Sequence, residues 1–334
     1  MSVGSAAGPE RQAAGPRPQA AGPRVVALGG GHGLFASLSA LRRVSGMLTA
    51  VVTVADDGGS SGRLRRDLGV LPPGDLRMAL AALCGDDEWG TTWSRVVQHR
   101  FGGQGELAGH AVGNLLIVAL WELLGDTVAG LDWVGRLLGA HGRVLPMAAV
   151  PLEINATVEG ADPARPSELS TVRGQVACAT TTGLIRSISL VPPAPAARPE
   201  AVAAVREADW VVLGPGSWFT SVLPHLLVPD LAAAMLGTAA RRVVVLNLSP
   251  QDKETEGFSP SAHLEVLADH APGLSVDLVL ADLQVAAGAA ASLEKAAALL
   301  GAKLMFADVA MRDGSPRHDP ARLARAYAQI FEGE

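Results

Sequence analysis

Short apolar segments alternate with segments of helical periodicity along most of this chain, and this alternation restricts its fold more than any other feature. Strands alternating with helices are typical of a mostly parallel sheet with helices on both faces. The sequence therefore predicts a three-layer, Rossmann-like α/β fold. The predicted strands are residues 25–28, 50–54, 210–213, 242–246, 276–280 and 303–306. The predicted helices include 75–83, 92–101, 111–124, 131–138, 217–227, 261–269, 293–300 and 321–330.

Two segments interrupt this alternation. Residues 143–158 and 171–191 alternate or are β-branched and carry few helical signals, which favours strands joined by hairpins. They predict a smaller β-containing subdomain at roughly 143–191, inserted into a single α/β domain that spans 24–334. Residues 1–23 consist mostly of Ala, Gly and Pro, a composition that predicts a disordered tail.

The charge balance excludes some classes of partner. Lys and Arg number 27 against 33 Asp and Glu, a net charge of -6, so no broad cationic field is available for nucleic acid or an anionic membrane surface. Every long apolar stretch is interrupted by Gly, Pro or His, and the N-terminus lacks the apolar segment of a signal peptide. We therefore expect a cytoplasmic protein without membrane insertion. The eight His residues show no metal-ligand spacing, so no metal site is predicted.

The loop after the first predicted strand is rich in glycine. Gly30, Gly31, His32 and Gly33 lead directly into a helical segment. Glycines permit close approach of the backbone to a ligand, and a helix N-terminus offers free N–H groups to an anion. The dinucleotide pattern fits only if Ala36 replaces its last glycine, and the P-loop pattern is missing. A tight turn without a ligand is the alternative.

The loop after the second predicted strand combines acidic, hydroxyl and basic side chains. Asp56 and Asp57 can hold a ribose diol, a cation or a reacting hydroxyl, while Ser60 and Ser61 lie in a glycine-rich run suited to phosphate. Arg63 begins a cluster of three arginines, which are natural partners of a diphosphate. The alternative is a solvated turn in which an aspartate caps a helix.

Three further groups of candidate residues lie at strand ends or on helices. Gly214, Gly216 and Ser217 follow a strand and predict a second anion site at a helix N-terminus. Asn247 follows the next predicted strand. Its side-chain amide would form hydrogen bonds to a base or a sugar hydroxyl of a ligand, or else close the turn by bonding to its own backbone. Asn114 lies four residues after His110, so on a helix the two share a face, lining a pocket or bonding within the core.

The sequence is compatible with two roles for Asp75. It suits the N-cap of a helix, and it could equally face the site together with Arg77.

Several of these runs together resemble a known family. They are Ala-Asp-Asp-Gly-Gly-Ser-Ser-Gly-Arg at 55–63, Leu-Pro-Pro-Gly-Asp at 71–75, Gly-His at 109–110, Gly-Asn-Leu at 113–115, Gly-Pro-Gly-Ser at 214–217, Thr-Ser at 220–221 and Glu-Thr at 254–255. The chain resembles the gluconeogenesis factor (YvcK-type) family of the CofD-like superfamily over residues 25–280. The sister branch, 2-phospho-L-lactate transferase, is the second choice because its pattern lacks the Ser-Ser-Gly-Arg and Pro-Pro-Gly-Asp runs.

The resemblance implies a cytoplasmic bacterial protein that binds UDP-sugars such as UDP-glucose or UDP-N-acetylglucosamine. It further implies a role in cell shape and envelope synthesis during growth on gluconeogenic carbon sources, and it establishes no catalytic activity. The resemblance leaves open whether the protein binds Mg²⁺ and whether it forms a homo-oligomer. The chain departs from the family at His32, where Thr is common, and at 251–253, where Gln-Asp-Lys replaces Gln-Pro-Gly.

Two other functions compete with this one. In a nucleotide-dependent transferase, Asp56 or Asp57 would hold a metal or activate a hydroxyl group. An NAD-type oxidoreductase is the weakest choice, because it needs a single acidic ribose ligand and has no use for the Ser-Ser-Gly-Arg run.

Overall fold

A computed structural model describes residues 22–162, 164–250, 254–255 and 257–333. Most of the tail expected at 1–23, and the departure from the family at 251–253, lie outside these residues. Seven parallel strands form the main sheet. They are Arg24–Gly29 (β1), Met47–Val52 (β2), Arg143–Pro146 (β3), Trp210–Leu213 (β7), Arg241–Val245 (β8), Leu278–Asp282 (β9) and Lys303–Ala307 (β10).

The spatial order of the sheet is β10-β9-β8-β7-β1-β2-β3. The central strand β7 is completely buried, and β1 is buried after its first residue. Such continuous apolar strands are expected where helices cover both faces of a parallel sheet. The α/β fold predicted from the alternation of strands and helices is confirmed.

The helices connect the strands and flank the sheet. They are Gly31–Leu41 (α1), Gly59–Leu68 (α2), Gly74–Ala82 (α3), Glu88–Gln98 (α4), Val112–Leu124 (α5), Thr127–Leu138 (α6), Gln175–Thr180 (α7), Pro199–Glu207 (α8), Pro229–Gly237 (α9), Pro260–His270 (α10), Leu283–Leu299 (α11) and Pro320–Glu332 (α12).

The expected β-containing insertion is present as a second, antiparallel sheet. Its strands are Glu153–Glu159 (β4), Leu169–Arg173 (β5) and Leu184–Val191 (β6), in the order β5-β4-β6. Burial alternates along β4, as it does when only one face of a strand packs on the core. The small sheet begins at Glu153 rather than near residue 143, because β3 pairs with β2 in the main sheet.

Two segments near the strand ends differ from their predicted form. The helix expected at 217–227 is a π-helical turn, Trp218–Val222, followed by a 3₁₀ turn, Leu223–Leu227. Pro224 has no backbone N–H, so a regular α-helix cannot continue through it. The glycine-rich run after Asp57 is already helical, since α2 begins at Gly59.

Within the described part of the chain, no single helix has the length and apolar character to cross a membrane. The segments Trp218–Leu227 and Pro229–Gly237 satisfy length and composition only as a pair, bent by 81°.

Candidate functional site

The strand order defines one switch point in the main sheet. From β1 the chain adds β2 and β3 on one side, whereas β7 is followed by β8, β9 and β10 on the other. In open parallel sheets, ligands bind in the crevice outside the carboxyl ends of the strands at such a point. Two of the glycine-rich loops predicted to bind an anion, 29–33 after β1 (the first loop) and 214–217 after β7 (the second loop), are brought to this crevice by the fold.

The first loop lies between a buried carboxylate and the second loop. A Cβ on Gly30 would lie 2.4 Å from Asp75 Oδ2, and a Cβ on Gly33 would lie 2.2 Å from the carbonyl oxygen of Pro215. Gly31 adopts a φ of +59°, and no described atom lies within 4 Å of its Cβ position. Glycine is therefore required at 30 and 33 for close packing and at 31 for the backbone conformation.

A cleft of about 610 Å³ opens beside these loops. His32 and Gly33 at the start of α1 form one end, and Gly216 and Asn247 contribute from the ends of β7 and β8. The segment before α12 contributes Met311, Pro316, Arg317 and His318 to its lining. Its volume is in the range of small-molecule sites.

The second loop makes its hydrogen bonds within the protein. The N–H of Gly216 donates to Asn247 Oδ1 at 2.9 Å, and Asn247 Nδ2 donates to the Gly216 carbonyl at 2.8 Å. Each bond uses one of the two acceptor and two donor positions of the Asn247 amide group, and Asn247 also lines the cleft. It joins the ends of β7 and β8 through the Gly216 backbone.

A buried carboxylate occupies the donors that were expected to receive an anion. Ser217 Oγ donates to Glu254, 2.6 Å from each carboxylate oxygen, and the N–H groups of Phe219 and Thr220 lie 3.0 and 3.1 Å from Glu254 Oε1. Burial raises the pKa of Glu254, while the Ser217 hydroxyl and the two N–H groups oppose this rise. Ser217 therefore serves the protein's own carboxylate here, which the spacing of Gly214, Gly216 and Ser217 could not reveal.

Two aspartates lie under the first loop. Asp56 Oδ2 would lie 2.4 Å from a Cβ on Gly74, the neighbour of Asp75. Burial is the main cause that raises the pKa of Asp75 to about 7, followed by the charge of Asp56, against the opposing effect of the Gly31 N–H. Burial also raises the pKa of Asp56. Asp75 Oδ2 has no hydrogen-bond partner among the described residues, so this pair has unused hydrogen-bonding capacity.

Asp57 and Arg63 point to other parts of the chain. Asp57 Oδ1 accepts the N–H of Val176 at 3.0 Å, at the start of α7 in the insertion. The Arg63 guanidinium donates to the Ala108 carbonyl at 2.7 Å. Both side chains thus hold neighbouring segments beside the acidic pair, and neither lines the cleft.

The two serines in the first turn of α2 belong to a buried hydrogen-bond network. Ser60 Oγ accepts from Asn114 Nδ2 at 3.0 Å and from the Ala111 N–H at 3.3 Å, so its own hydrogen goes to His110 Nδ1, 3.0 Å away. Ser61 Oγ accepts the Gly74 N–H at 3.0 Å. His110 lies before α5 rather than on it, so the two residues do not share a helix face; they meet instead as buried groups that both bond to Ser60.

Arg77 completes this network. Its Nε donates to Asn114 Oδ1 at 3.0 Å, and burial lowers the pKa of the guanidinium to about 10. The network therefore links α2, α3 and α5 behind the aspartate pair, and it fixes the position of Ser60 at the start of α2.

Two residues of this region carry no decisive sequence signal. Asp75 has the context of a helix cap, although the structure places it against Gly30 and Gly31. His318 is one of eight histidines and shows no distinguishing motif, yet it lines the cleft. Only the three-dimensional arrangement assigns both residues to the switch point.

The comparisons with known proteins agree with this architecture. The family model described as 2-phospho-L-lactate transferase CofD matches residues 25–311. A Mycobacterium tuberculosis protein named as a gluconeogenesis factor is 56% identical over 302 residues, which are 90% of this chain and 88% of that protein. The gluconeogenesis factor of Halalkalibacterium halodurans is 38% identical over 256 residues, covering 77% and 76% of the two chains.

A solved structure extends the likeness to the fold. The crystal structure of a UPF0052 family member from Bacillus halodurans gives a TM-score of 0.79 at 33% identity, and it covers 91% of this chain and 98% of that chain. The chain therefore belongs to the gluconeogenesis factor family of the CofD-like superfamily, as the motifs indicate.

Proposed function

We propose that this protein binds UDP-sugars in the cleft at the switch point and acts in the cytoplasm in cell shape and envelope synthesis during growth on gluconeogenic carbon sources. The observation that carries the binding proposal is the cleft of about 610 Å³ between the N-terminus of α1 and the segment before α12. The relatives named as gluconeogenesis factors support the link to growth on gluconeogenic carbon sources.

The diphosphate fits the end of the cleft at the first loop. His32 and Gly33 lie in the first turn of α1, where backbone N–H groups and the helix dipole favour an anion. No acidic side chain is present in this first turn. Because the second loop already bonds to Glu254 and Asn247, the first loop is the better phosphate site.

A thermal-shift titration with UDP-glucose and UDP-N-acetylglucosamine tests this proposal. A ligand at 100 times its dissociation constant should stabilise the protein by about 2.7 kcal/mol. Ala36→Trp places an indole in the cleft and should abolish the shift. Ala203→Trp, on the exposed side of α8 away from the cleft, should keep it. No shift of the unmodified protein at millimolar concentrations of both ligands would refute the proposal.

One observation favours a transferase as the second candidate. Asp56 and Asp75 place two carboxylates under the first loop, and Asp75 Oδ2 lacks a partner within the described chain. Two carboxylates together with ligand phosphates suit Mg²⁺, which keeps several waters and does not need a protein cage. Among the described residues, no group of three or more His, Cys, Asp or Glu side chains could hold a metal ion.

The transferase is tested by turnover. The protein is incubated with Mg²⁺, a nucleotide-activated phospholactate and an acceptor whose hydroxyl group takes the phospholactyl group, and the nucleotide that leaves is measured. Release that depends on enzyme concentration and is lost in Asp56→Asn would support this candidate. The absence of product at high enzyme concentration would exclude it.

A further inference from the structure

Aromatic side chains gather on the exposed side of α4 and α6. Trp89 and Trp93 lie one turn apart on α4, and their ring centroids are 5.6 Å apart. Trp133 and Leu137 lie one turn apart on α6, and the indole N–H of Trp89 donates to the Leu137 carbonyl at 3.1 Å. The two helices therefore present a joint apolar surface. We call these four residues the tryptophan patch.

The patch exposes side chains that proteins usually bury. Trp89 is 54% exposed and Trp133 is 53% exposed. Of the six tryptophans in the chain, Trp121, Trp210 and Trp218 are buried. Monomeric proteins rarely expose large apolar patches, and tryptophan is enriched where proteins bind each other. The patch thus has the composition of a protein-binding surface.

Two exposed residues of opposite charge border the patch. Glu88 precedes Trp89 in the first turn of α4, and the Arg136 guanidinium lies over the Trp133 ring, 5.1 Å from its centroid. A guanidinium stacked on an aromatic face keeps its N–H groups available for a carboxylate. Within the described part of the chain, neither Glu88 nor Arg136 makes an ion pair.

These charges bear on the kind of partner that fits the patch. In a dimer with two-fold symmetry the same surface faces itself. Arg136 of each copy can then pair with Glu88 of the other copy, so that both charges are used in both copies. A partner of a single charge sign would gain one such pair and meet a like charge at the other residue. The patch and its bordering charges are therefore complementary to a second copy of this chain.

We propose that the tryptophan patch is the interface of a two-fold symmetric homodimer in which Arg136 of each copy pairs with Glu88 of the other. The indole rings supply the apolar area, because tryptophan and arginine contribute much of the binding energy of protein interfaces. The charges fix the register of the two copies. None of these residues lines the cleft, so the inference goes beyond UDP-sugar binding and does not depend on it.

Sedimentation velocity of the full chain across the micromolar range tests the dimer. The unmodified protein should change from monomer to dimer as its concentration rises. Trp133→Ala should raise the dissociation constant of the dimer at least about tenfold, because a two-fold interface contains the substitution twice. Leu299→Ala, at a 65% exposed leucine of α11 outside the patch, should leave the dissociation constant unchanged.

Charge reversal tests whether the partner is a second copy. Glu88→Arg and Arg136→Glu each place like charges opposite each other, so each variant alone should dimerise at least about tenfold more weakly. An equimolar mixture of the two variants should dimerise again, since every pair across the interface then joins opposite charges. Glu294→Arg, at an exposed acidic residue of α11, is the charge control and should have no effect. Thermal melting checks that each variant is folded.

Three results would overturn the proposal. An unmodified protein that stays monomeric across the micromolar range does not form this dimer. A dimer that neither Trp133→Ala nor the charge reversals weaken uses another surface. A mixture of Glu88→Arg and Arg136→Glu that dimerises no better than its components shows that the two residues do not face each other. The mixture decides the question even if Trp133→Ala does not fold. Because no ligand is added, all three results are independent of the proposed function.

Discussion

The two glycine-rich loops at the switch point are each held by a buried carboxylate, but the two carboxylates differ in how fully they are bonded. Glu254 receives the Ser217 hydroxyl and two backbone N–H groups of the second loop. Asp75 accepts the Gly31 N–H of the first loop, while its Oδ2 has no partner among the described residues. The second loop is thus bonded internally, and the first loop has capacity left for a ligand.

This difference shows that a glycine-rich loop at a strand end is not by itself a ligand site. Both loops follow parallel strands and contain glycines with positive φ. The residues that approach them from elsewhere in the chain decide whether their donors stay available. A buried polar group without a partner lowers the free energy of unfolding by about 1–3 kcal/mol. The unpaired oxygen of Asp75 therefore indicates a region in which a less stable arrangement is retained for function.

The largest effect is expected where the two loops touch. A Cβ on Gly33 would lie 2.2 Å from the Pro215 carbonyl oxygen and 2.5 Å from Gly216 Cα, and backbone atoms cannot rotate away. Gly33→Ala should therefore lower the free energy of unfolding by about 3 kcal/mol or more, measured by urea denaturation. Gly31→Ala is the matched control. It adds strain at a φ of +59° without a contact and should cost about 1–2 kcal/mol. Equal losses in the two variants would contradict the close packing of the loops.

The second prediction removes the carboxylate of the bonded loop. Glu254→Ala leaves the N–H groups of Phe219 and Thr220 without their acceptor in a buried region, so we expect a loss of about 3 kcal/mol. Glu254→Gln keeps an acceptor oxygen at the same distance from the backbone and should lose about 1 kcal/mol. Urea denaturation of both variants measures these losses. If Glu254→Ala is as stable as the unmodified protein, the carboxylate does not hold the second loop.

The third prediction concerns Asp75, the carboxylate of the first loop, whose neutral substitute should gain stability relative to the unmodified protein as the pH rises. The pKa of Asp75 is raised from 3.8 to about 7, so between these pH values the native state keeps a proton that the unfolded state releases. Stability should therefore fall as pH rises from about 4 to 7, by at most about 4 kcal/mol. Asp75→Asn keeps an oxygen for the Gly31 N–H and removes this titration.

The difference in stability between Asp75→Asn and the unmodified protein reports the titration of Asp75 alone. Urea midpoints are measured for the unmodified protein and Asp75→Asn at pH 5 and pH 8. Asp75→Asn should gain on the unmodified protein by about 2 kcal/mol between these pH values. A stability difference that does not change with pH would mean that Asp75 is ionised throughout, and the contrast with Glu254 would disappear.

Local sequence predicted the fold because the fold depends on local patterns. The apolar run at 210–213 and the loop glycines specify β7 and its turn without any distant contact. The sequence did not reveal that residues 217–227 form a π-helical turn followed by a 3₁₀ turn. Proline is compatible with the first turn of a helix and is excluded only from the interior of a regular α-helix, so Pro224 does not specify this form by itself. The start of α2 was missed because glycines and serines at 58–62 suit a loop as well as a first turn.

The site was less predictable because its partners lie far apart in the chain. Glu254 lies 37 residues beyond Ser217, and Asn247 lies 31 residues beyond Gly216. Asp57 reaches Val176 across 119 residues. No spacing rule links such pairs, so the sequence identified groups able to bind an anion without showing which of them the protein itself uses. The same reason hid His318, which lines the cleft together with residues 247–250 only in the folded chain.

The smallest effect is expected at the amide that joins β7 to β8. Asn247 makes two hydrogen bonds with Gly216, one as acceptor and one as donor. Asn247→Ala loses both in a partly buried place and should cost about 1–2 kcal/mol in urea denaturation. Asn247→Asp can accept the Gly216 N–H but cannot donate to the Gly216 carbonyl, and its charge would face that oxygen. It should therefore be no more stable than Asn247→Ala. If Asn247→Asp is instead as stable as the unmodified protein, the hydrogen bond that Asn247 donates to the Gly216 carbonyl contributes nothing to holding the second loop.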